Sequence, residues 1–316
     1  MDEKIKIYAV VGPTASGKSA LALAIAERYG GEIISCDSMQ LYRRMDIGTA
    51  KPTAEERARA PHHMIDVAEP TDSFSCADYV EMADKIIRDV HARGKLPIVC
   101  GGTGLYLDAL LRGVDFQPGI TDEALRAELL AFADKNGAEA LHAELRRIDP
   151  ESAEQIHPNN VKRVARAIEI YRLGGVKKSV IDKASRCGEA RFDARCVCLS
   201  YADRAELYGR IDRRVDSMIA AGLERETSEL LAEGVFEKNS TAAQAIGYKE
   251  LIPYVRGEQT LDSATEALKM ATRRYAKRQI TWFSSKSYVT QIDVSERDGK
   301  KTFEDIVNIA SKVFFS

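Results

Sequence analysis

The stretch Gly12-Pro13-Thr14-Ala15-Ser16-Gly17-Lys18-Ser19 constrains this chain most, because it fits the G-x-x-x-x-G-K-[ST] spacing in full. It follows an apolar run over residues 5–12. It opens residues 19–29, where Ala20, Leu23, Ala24 and Glu27 recur at helical spacing. Strand, glycine-rich turn and helix in that order build a cradle for phosphate. Backbone amides wrap the oxygens, the helix dipole and Lys18 add positive potential, and the Ser19 hydroxyl can hold a magnesium ion. The expected fold class is therefore α/β: a P-loop NTPase-like core with a parallel sheet flanked by helices, plus a helical insertion domain.

The rest of the chain supports that expectation. Residues 32–36 read as a second strand, 79–93 as a helix, and 96–100 as a buried strand running into Gly101-Gly102. Alternating strands and helices imply a parallel sheet covered on both faces. Right-handed crossovers place the loops after the strands along one edge. From about residue 117 the strand signal fades, and 121–135, 138–148 and 160–173 look helical. Thr121-Asp122-Glu123 and Asp149-Pro150-Glu151-Ser152 read as helix starts. Residues 117–189 are thus expected as the insertion, and 1–116 with 190–316 as the core. A strand at 194–200 returns the chain to the sheet. Helices at 204–221, 223–233 and 265–286 follow.

Lysine and arginine number 46 against 48 acids, so any surface for nucleic acid must be local. There is no charged-then-apolar leader and no apolar stretch of spanning length, which reads as cytoplasmic, with no membrane partner. In that setting Cys36, Cys76, Cys100, Cys187, Cys196 and Cys198 are expected as free thiols, mostly packed in the core. They form no C-x-x-C pair or Cys–His cluster. His62 and His63 are adjacent, so their side chains point apart and they read as structural residues rather than a metal pair. Nothing calls for an obligate protein partner.

The phosphate loop does not choose the chemistry. Many of its users need an acid on a neighbouring strand for magnesium, yet residues 96–100 lead into Gly101-Gly102-Thr103-Gly104 without one. A guanine-reading N-K-x-D is also missing. A motor ATPase or GTPase fits poorly. Asp37, directly after the second strand, lies on the same edge as the loop. It can accept a proton from a bound substrate, or simply cap a turn.

Taken in order, these residues resemble the tRNA dimethylallyltransferases. The resemblance begins in Gly12–Ser19, Asp37-Ser38-Met39-Gln40-Leu41-Tyr42 and Met45-Asp46-Ile47-Gly48-Thr49-Ala50-Lys51-Pro52. It continues through His62-His63-Met64-Ile65-Asp66, Gly101-Gly102-Thr103-Gly104-Leu105-Tyr106 and residues 160–169. Arg210-Ile211-Asp212-Arg213-Arg214, Ala245-Ile246-Gly247-Tyr248-Lys249-Glu250 and residues 272–282 complete it. The resemblance implies transfer of a dimethylallyl group from its pyrophosphate to the exocyclic amine of the adenosine 3′ of the anticodon, in a bacterial-type form without a C-terminal zinc finger. It implies Asp37 as general base, and Thr103 and Arg214 on a pyrophosphate cradled by Gly12, Pro13, Thr14, Ala15, Ser16, Gly17, Lys18 and Ser19. Contacts to tRNA are implied for Ser38, Met39, Gln40, Arg126, Lys162, Arg163, Arg166, Gln244, Gly247, Tyr248, Arg274, Lys277 and Arg278, with the 273–279 region meeting the RNA. Asp37 and Thr103 join that substrate set, and magnesium is the implied ion.

Two runs poor in acids offer the local positive surface that RNA requires. One holds Lys269, Arg273, Arg274, Lys277, Arg278 and Lys286, interleaved with Tyr275, Trp282 and Phe283. The other holds Lys162, Arg163, Arg166, Arg172, Lys177 and Lys178 against Glu169 alone. Cations of this kind neutralise phosphates, aromatics stack on unpaired bases, and an anticodon loop offers such bases. Three other readings stay open: an isopentenyltransferase acting on free adenine nucleotides, a small-molecule P-loop kinase, and a nucleotide-gated RNA-binding protein.

Overall fold

Apolar strands buried on both faces need helices on both sides, and the chain supplies them in alternation. The computed structural model describes residues 4–112, 122–187, 190–239, 241–295 and 301–316. It contains two compact units, one formed by Met1–Leu111 with Phe192–Ser316 and the other by Arg112–Arg191. The borders expected at residues 117 and 189, and the helix start at Thr121, lie outside the described residues.

The first unit runs β1 (Lys6–Val11), α1 (Lys18–Tyr29), β2 (Gly31–Cys36), α2 (Ala54–Arg59), β3 (His62–His63), α3 (Cys76–Ala92), β4 (Leu96–Gly101) and α4 (Gly104–Arg112). The second unit is helical: α5 (Glu123–Asn136), α6 (Ala138–Ile148), α7 (Pro150–Gln155), α8 (Val161–Gly174) and α9 (Lys178–Cys187). Its core gathers Leu129, Leu141, Leu145, Val164 and Ile168. The first unit resumes with β5 (Asp193–Ser200), α10 (Arg204–Ala220), α11 (Leu223–Ala232), α12 (Val235–Lys238), α13 (Tyr248–Val255), α14 (Leu261–Ser284), β6 (Val289–Asp293) and α15 (Phe303–Phe315).

All strand pairs are parallel, in the order β3-β2-β4-β1-β5-β6. β4 lies between β2 and β1, so the loops after these three strands emerge side by side. One face of the sheet buries Tyr8, Val10, Ile33, Ile98 and Val197 against Leu21 and Ile25 of α1 and Val307 and Phe314 of α15.

The last strand and helix were not expected from the sequence, nor was α13. β6 carries only one fully buried side chain, Ile292, so its alternation is weak, yet it pairs with β5 from Cys196↔Val289 to Ser200↔Asp293. α15 is announced by a capping box, Thr302 with Asp305, and covers the sheet with its apolar stripe. α14 starts earlier than its periodicity suggested, because Thr260 accepts from the Ser263 amide and caps it.

Cys36, Cys100, Cys196 and Cys198 are buried and Cys76 is half-buried, all as free thiols. Burial pushes the Cys100 and Cys198 thiols up to about 11 and about 12. The Cys187 side chain lies outside the described residues. His63 bonds Glu32 at 2.7 Å and His62 bonds the Ala60 carbonyl at 2.8 Å, so the two rings serve different partners. No helix among the described residues is long and apolar enough to cross a membrane.

Candidate active site

The register sets both Val11 and Cys36 beside Gly101, so the loops after β1, β2 and β4 converge. In the first of them Gly12 takes φ 145° and Gly17 φ 91°, while Ala15 holds φ 62° despite its Cβ. A Cβ on Gly12 would sit 2.9 Å from the Leu199 carbonyl, so conformation and space both require glycine there. The Ser16 amide closes the loop onto the Pro13 carbonyl at 3.3 Å. α1 then starts without a side-chain cap or an acid in its first turn, leaving its amide end open to an anion. Lys18 Nζ donates to the Pro13 carbonyl at 3.3 Å. Burial lowers the pKa of this ammonium, and the nearby Arg214 guanidinium lowers it further. A desolvated cation in that position gains from an incoming phosphate.

Asp37 follows β2 and turns back on itself, its Oδ1 accepting from the Met39 amide at 2.9 Å. No other hydrogen bond reaches this carboxylate among the described residues. Thr103 fixes the turn from the neighbouring loop: its amide donates to the Cys36 carbonyl, and its Oγ1 accepts from the Ser38 amide, both at 3.1 Å. The Tyr275 hydroxyl is in hydrogen-bond reach of the Thr103 side chain.

The glycines before Thr103 are packed closely by the protein itself. Neither has room for a side chain, although Gly101 also lines one of the cavities described below. A Cβ on Gly101 would lie 2.1 Å from the Cys36 carbonyl oxygen, and one on Gly102 2.1 Å from Gln279 Nε2.

Two cavities meet at Asp37. The larger, about 240 Å³, is lined by Ser38, Met39, Gly48, Gln244, Gly247 and Arg278 among others. The smaller, about 70 Å³, is lined by Lys18, Ser19, Gln40, Cys100 and Gln279 among others. Thr14, Asp37, Thr49, Arg214 and Tyr275 line both, whereas Thr103 lines neither.

Arg214 is half-buried and makes no ion pair among the described residues. Pairing with Asp212 does not occur, because Asp212 takes Arg273. Burial lowers the Arg214 pKa and the Asp37 charge opposes that shift; both residues line the two cavities.

The wall over residues 45–51 is built by a residue the sequence did not flag. Glu226 on α11 accepts from the amides of Asp46, Ile47 and Gly48 at 2.9 to 3.1 Å. Gln40 Nε2 holds the Thr49 and Ala50 carbonyls at 3.2 Å while its Oε1 accepts from Ser35. Its side chain is thus committed to the wall at the cavity edge. Tyr248 corrects an expectation: it is 0% exposed, donates to Glu226 at 2.6 Å and lies over Gly48. It offers RNA no surface. Gln244 and Gly247 of that block do reach the larger cavity.

The basic run on α14 divides in two. Lys269 pairs with Asp216 and Glu266, Arg273 with Asp212, and Lys286 with Asp108. Gln279 and Phe283 are buried, so the 273–279 region does not face outward as a whole. Arg274, Lys277 and Arg278 are exposed and make no ion pair among the described residues. In the helical unit Arg126 and Arg166 both hold the buried Glu169, and Arg172 pairs with Glu144 and Glu128. There, Lys162, Arg163 and Lys177 are the exposed cations of the expected run without an ion pair among the described residues.

Comparison with known proteins points in one direction. The chain matches the family described as IPP transferase over residues 40–286, and that described as isopentenyl transferase over residues 5–71. It is 44% identical over 303 residues to a tRNA dimethylallyltransferase of Caldanaerobacter subterraneus subsp. tengcongensis, covering 96% of this chain and 95% of that one. A protein of the same name from Halalkalibacterium halodurans is 46% identical over 312 residues, 98% of each chain. The crystal structure of a tRNA isopentenylpyrophosphate transferase from Bacillus halodurans is similar with a TM-score of 0.71 at 44% identity, over 98% of this chain and 97% of that one. A eukaryotic dimethylallyltransferase acting on tRNA is similar with a TM-score of 0.80 at 28% identity, over 98% and 79%.

Proposed function

Because the chain belongs to the tRNA dimethylallyltransferase family, we propose that it moves the dimethylallyl group of dimethylallyl pyrophosphate onto tRNA. The acceptor is the exocyclic amine of the adenosine just 3′ of the anticodon, and pyrophosphate is released. One observation carries the residue assignment: Asp37 lines both the cavity that holds Lys18 and the cavity edged by Gln244, Gly247 and Arg278. A pyrophosphate in the first and an adenine in the second would meet at that carboxylate.

An adenine amine is a weak nucleophile, since its lone pair is delocalised into the ring. In this reading its nitrogen forms a bond to the allylic carbon as the bond from that carbon to the pyrophosphate oxygen breaks. The amine proton passes to the Asp37 carboxylate, whose second oxygen has no donor among the described residues. General-base help of this kind is worth about 10²–10⁴ in rate. Lys18, Arg214 and the loop amides take up the charge that builds on the leaving oxygen. A well-aimed donor in such a site is worth about 10²–10³. Thr103 acts one step back, by holding the Asp37 turn.

The donor set also fits magnesium. Ser19 lines the Lys18 cavity, and magnesium commonly keeps several waters and rides on substrate phosphates rather than on an all-protein cage. Bound there with the pyrophosphate, the ion would add charge neutralisation to that of Lys18.

RNA would be held by Arg274, Lys277 and Arg278, and by Lys162 and Arg163 of the helical unit. Arg278→Glu is expected to weaken tRNA binding and to lower its salt slope by about one, leaving the KM for dimethylallyl pyrophosphate unchanged. Titrations at several salt concentrations check this. An unchanged slope removes α14 from the RNA surface.

A further inference from the structure

We propose that Gln279 is a positioning residue for the donor: its buried amide holds the phosphate loop in the shape that receives pyrophosphate. This rests on the reading above, in which that loop holds the pyrophosphate.

Gln279 sits on α14 and is 5% exposed. Its Oε1 accepts from the Thr14 amide at 2.8 Å, and its Nε2 donates to the Gly102 carbonyl at 3.0 Å. One side chain therefore ties the loop after β1 to the loop after β4. The two partners are of opposite kind, a donor and an acceptor. An uncharged amide serves both, a carboxylate has no proton for Gly102, and a hydrocarbon serves neither. Gly102 has no side chain to compete, since a Cβ there would lie 2.1 Å from Nε2.

Thr14 lines both cavities and immediately precedes Ala15, whose φ of 62° is costly for a residue with a Cβ. Arg210 Nε holds the Ala15 carbonyl at 3.0 Å from one side, and Gln279 holds the Thr14 amide from the other. Releasing either end lets the strained segment relax away from the shape a phosphate needs. The cationic side chains Arg274, Lys277 and Arg278 are not among the partners of the Gln279 amide. RNA affinity is therefore independent of this clamp, while donor affinity depends on it.

Two variants of the full-length protein test the proposal. Gln279→Met keeps the side-chain length and removes both hydrogen bonds. Gln279→Glu keeps an acceptor for Thr14 and loses the donor for Gly102. Gln279→Met is expected to raise both the KM for dimethylallyl pyrophosphate and the Kd for inorganic pyrophosphate about ten-fold or more, since both buried hydrogen bonds are lost. The Kd for tRNA stays as in the wild type, and Gln279→Glu, which also sets a carboxylate in the lining of the cavity that receives the pyrophosphate, gives at least as large a rise in the donor constants. If Gln279→Met does not fold, a donor-selective rise in Gln279→Glu carries the test. Unchanged donor constants overturn the proposal, as does a fall of donor and tRNA affinity together. Lys18→Met separates the two levels. If it leaves the donor KM unchanged, the phosphate reading itself fails; if it raises that KM while the Gln279 variants do not, only the clamp fails.

Discussion

Asp37→Asn is expected to lower the rate of dimethylallyl transfer by about 10²–10⁴, while dimethylallyl pyrophosphate and tRNA bind nearly as before. The substitution is chosen because asparagine keeps the Oδ1 acceptor that Asp37 presents to the Met39 amide at 2.9 Å. The turn therefore survives, and so does the Ser38 amide on Thr103 at 3.1 Å. What disappears is the basic oxygen at the junction of the two cavities. Single-turnover transfer with saturating substrates reads the chemical step directly. Turnover above about a tenth of wild type would be too fast for loss of a general base and would move that role elsewhere.

Gly101→Ala is expected to be comparably damaging for a different reason. The added Cβ would lie 2.1 Å from the Cys36 carbonyl oxygen, 2.4 Å from its carbon and 2.8 Å from its Cα. All three are backbone atoms in a paired strand, so no rotamer change relieves the contact. β2 has to shift at its last residue, immediately before Asp37. Overpacking of this kind costs about 1–3 kcal/mol in stability, and displacing a catalytic group by an ångström costs about 10²-fold in rate. Denaturant unfolding and kcat/KM on the same preparation check both. A variant with wild-type activity would mean that Asp37 tolerates displacement, contrary to the tight junction described here.

The phosphate loop was legible because its information is local: eight consecutive residues with a strand before and a helix after. Asp37 was legible through its place at the end of β2. The features that were misread depend on partners far along the chain. Tyr248 belongs to a block that looked like substrate contact, but its hydroxyl is claimed by Glu226, and only the fold reveals which side of α13 is inward. Gly101 and Gly102 admit no side chain because other segments pack directly against them. The groups that approach, Cys36 and Gln279, lie 65 and 177 residues away, and neither distance is marked in the sequence. Gln279 was hidden among arginines and lysines, where a polar residue passes for surface. Its helical spacing from Tyr275, one turn earlier and also directed inward, was the available signal. In the basic runs, residue type alone cannot distinguish Arg273, spent on Asp212, from Arg274, which makes no ion pair among the described residues.

Electrostatics narrows the account further. Lys18 and Arg214 each have a pKa lowered by burial, and both line the smaller cavity, where Asp37 is the only carboxylate among the described residues. Such an arrangement is unfavourable when empty and is relieved by a polyanion. It suits a pyrophosphate that arrives esterified and leaves with an added charge.

The most direct test of the central claim is transfer from dimethylallyl pyrophosphate labelled in the allylic carbon, with magnesium and either unmodified tRNA or AMP as acceptor. The account predicts label in tRNA, recovered after digestion in the adenosine 3′ of the anticodon, with one pyrophosphate released per label. Label in AMP but not in tRNA would contradict it, as would ATP hydrolysis with no label transferred.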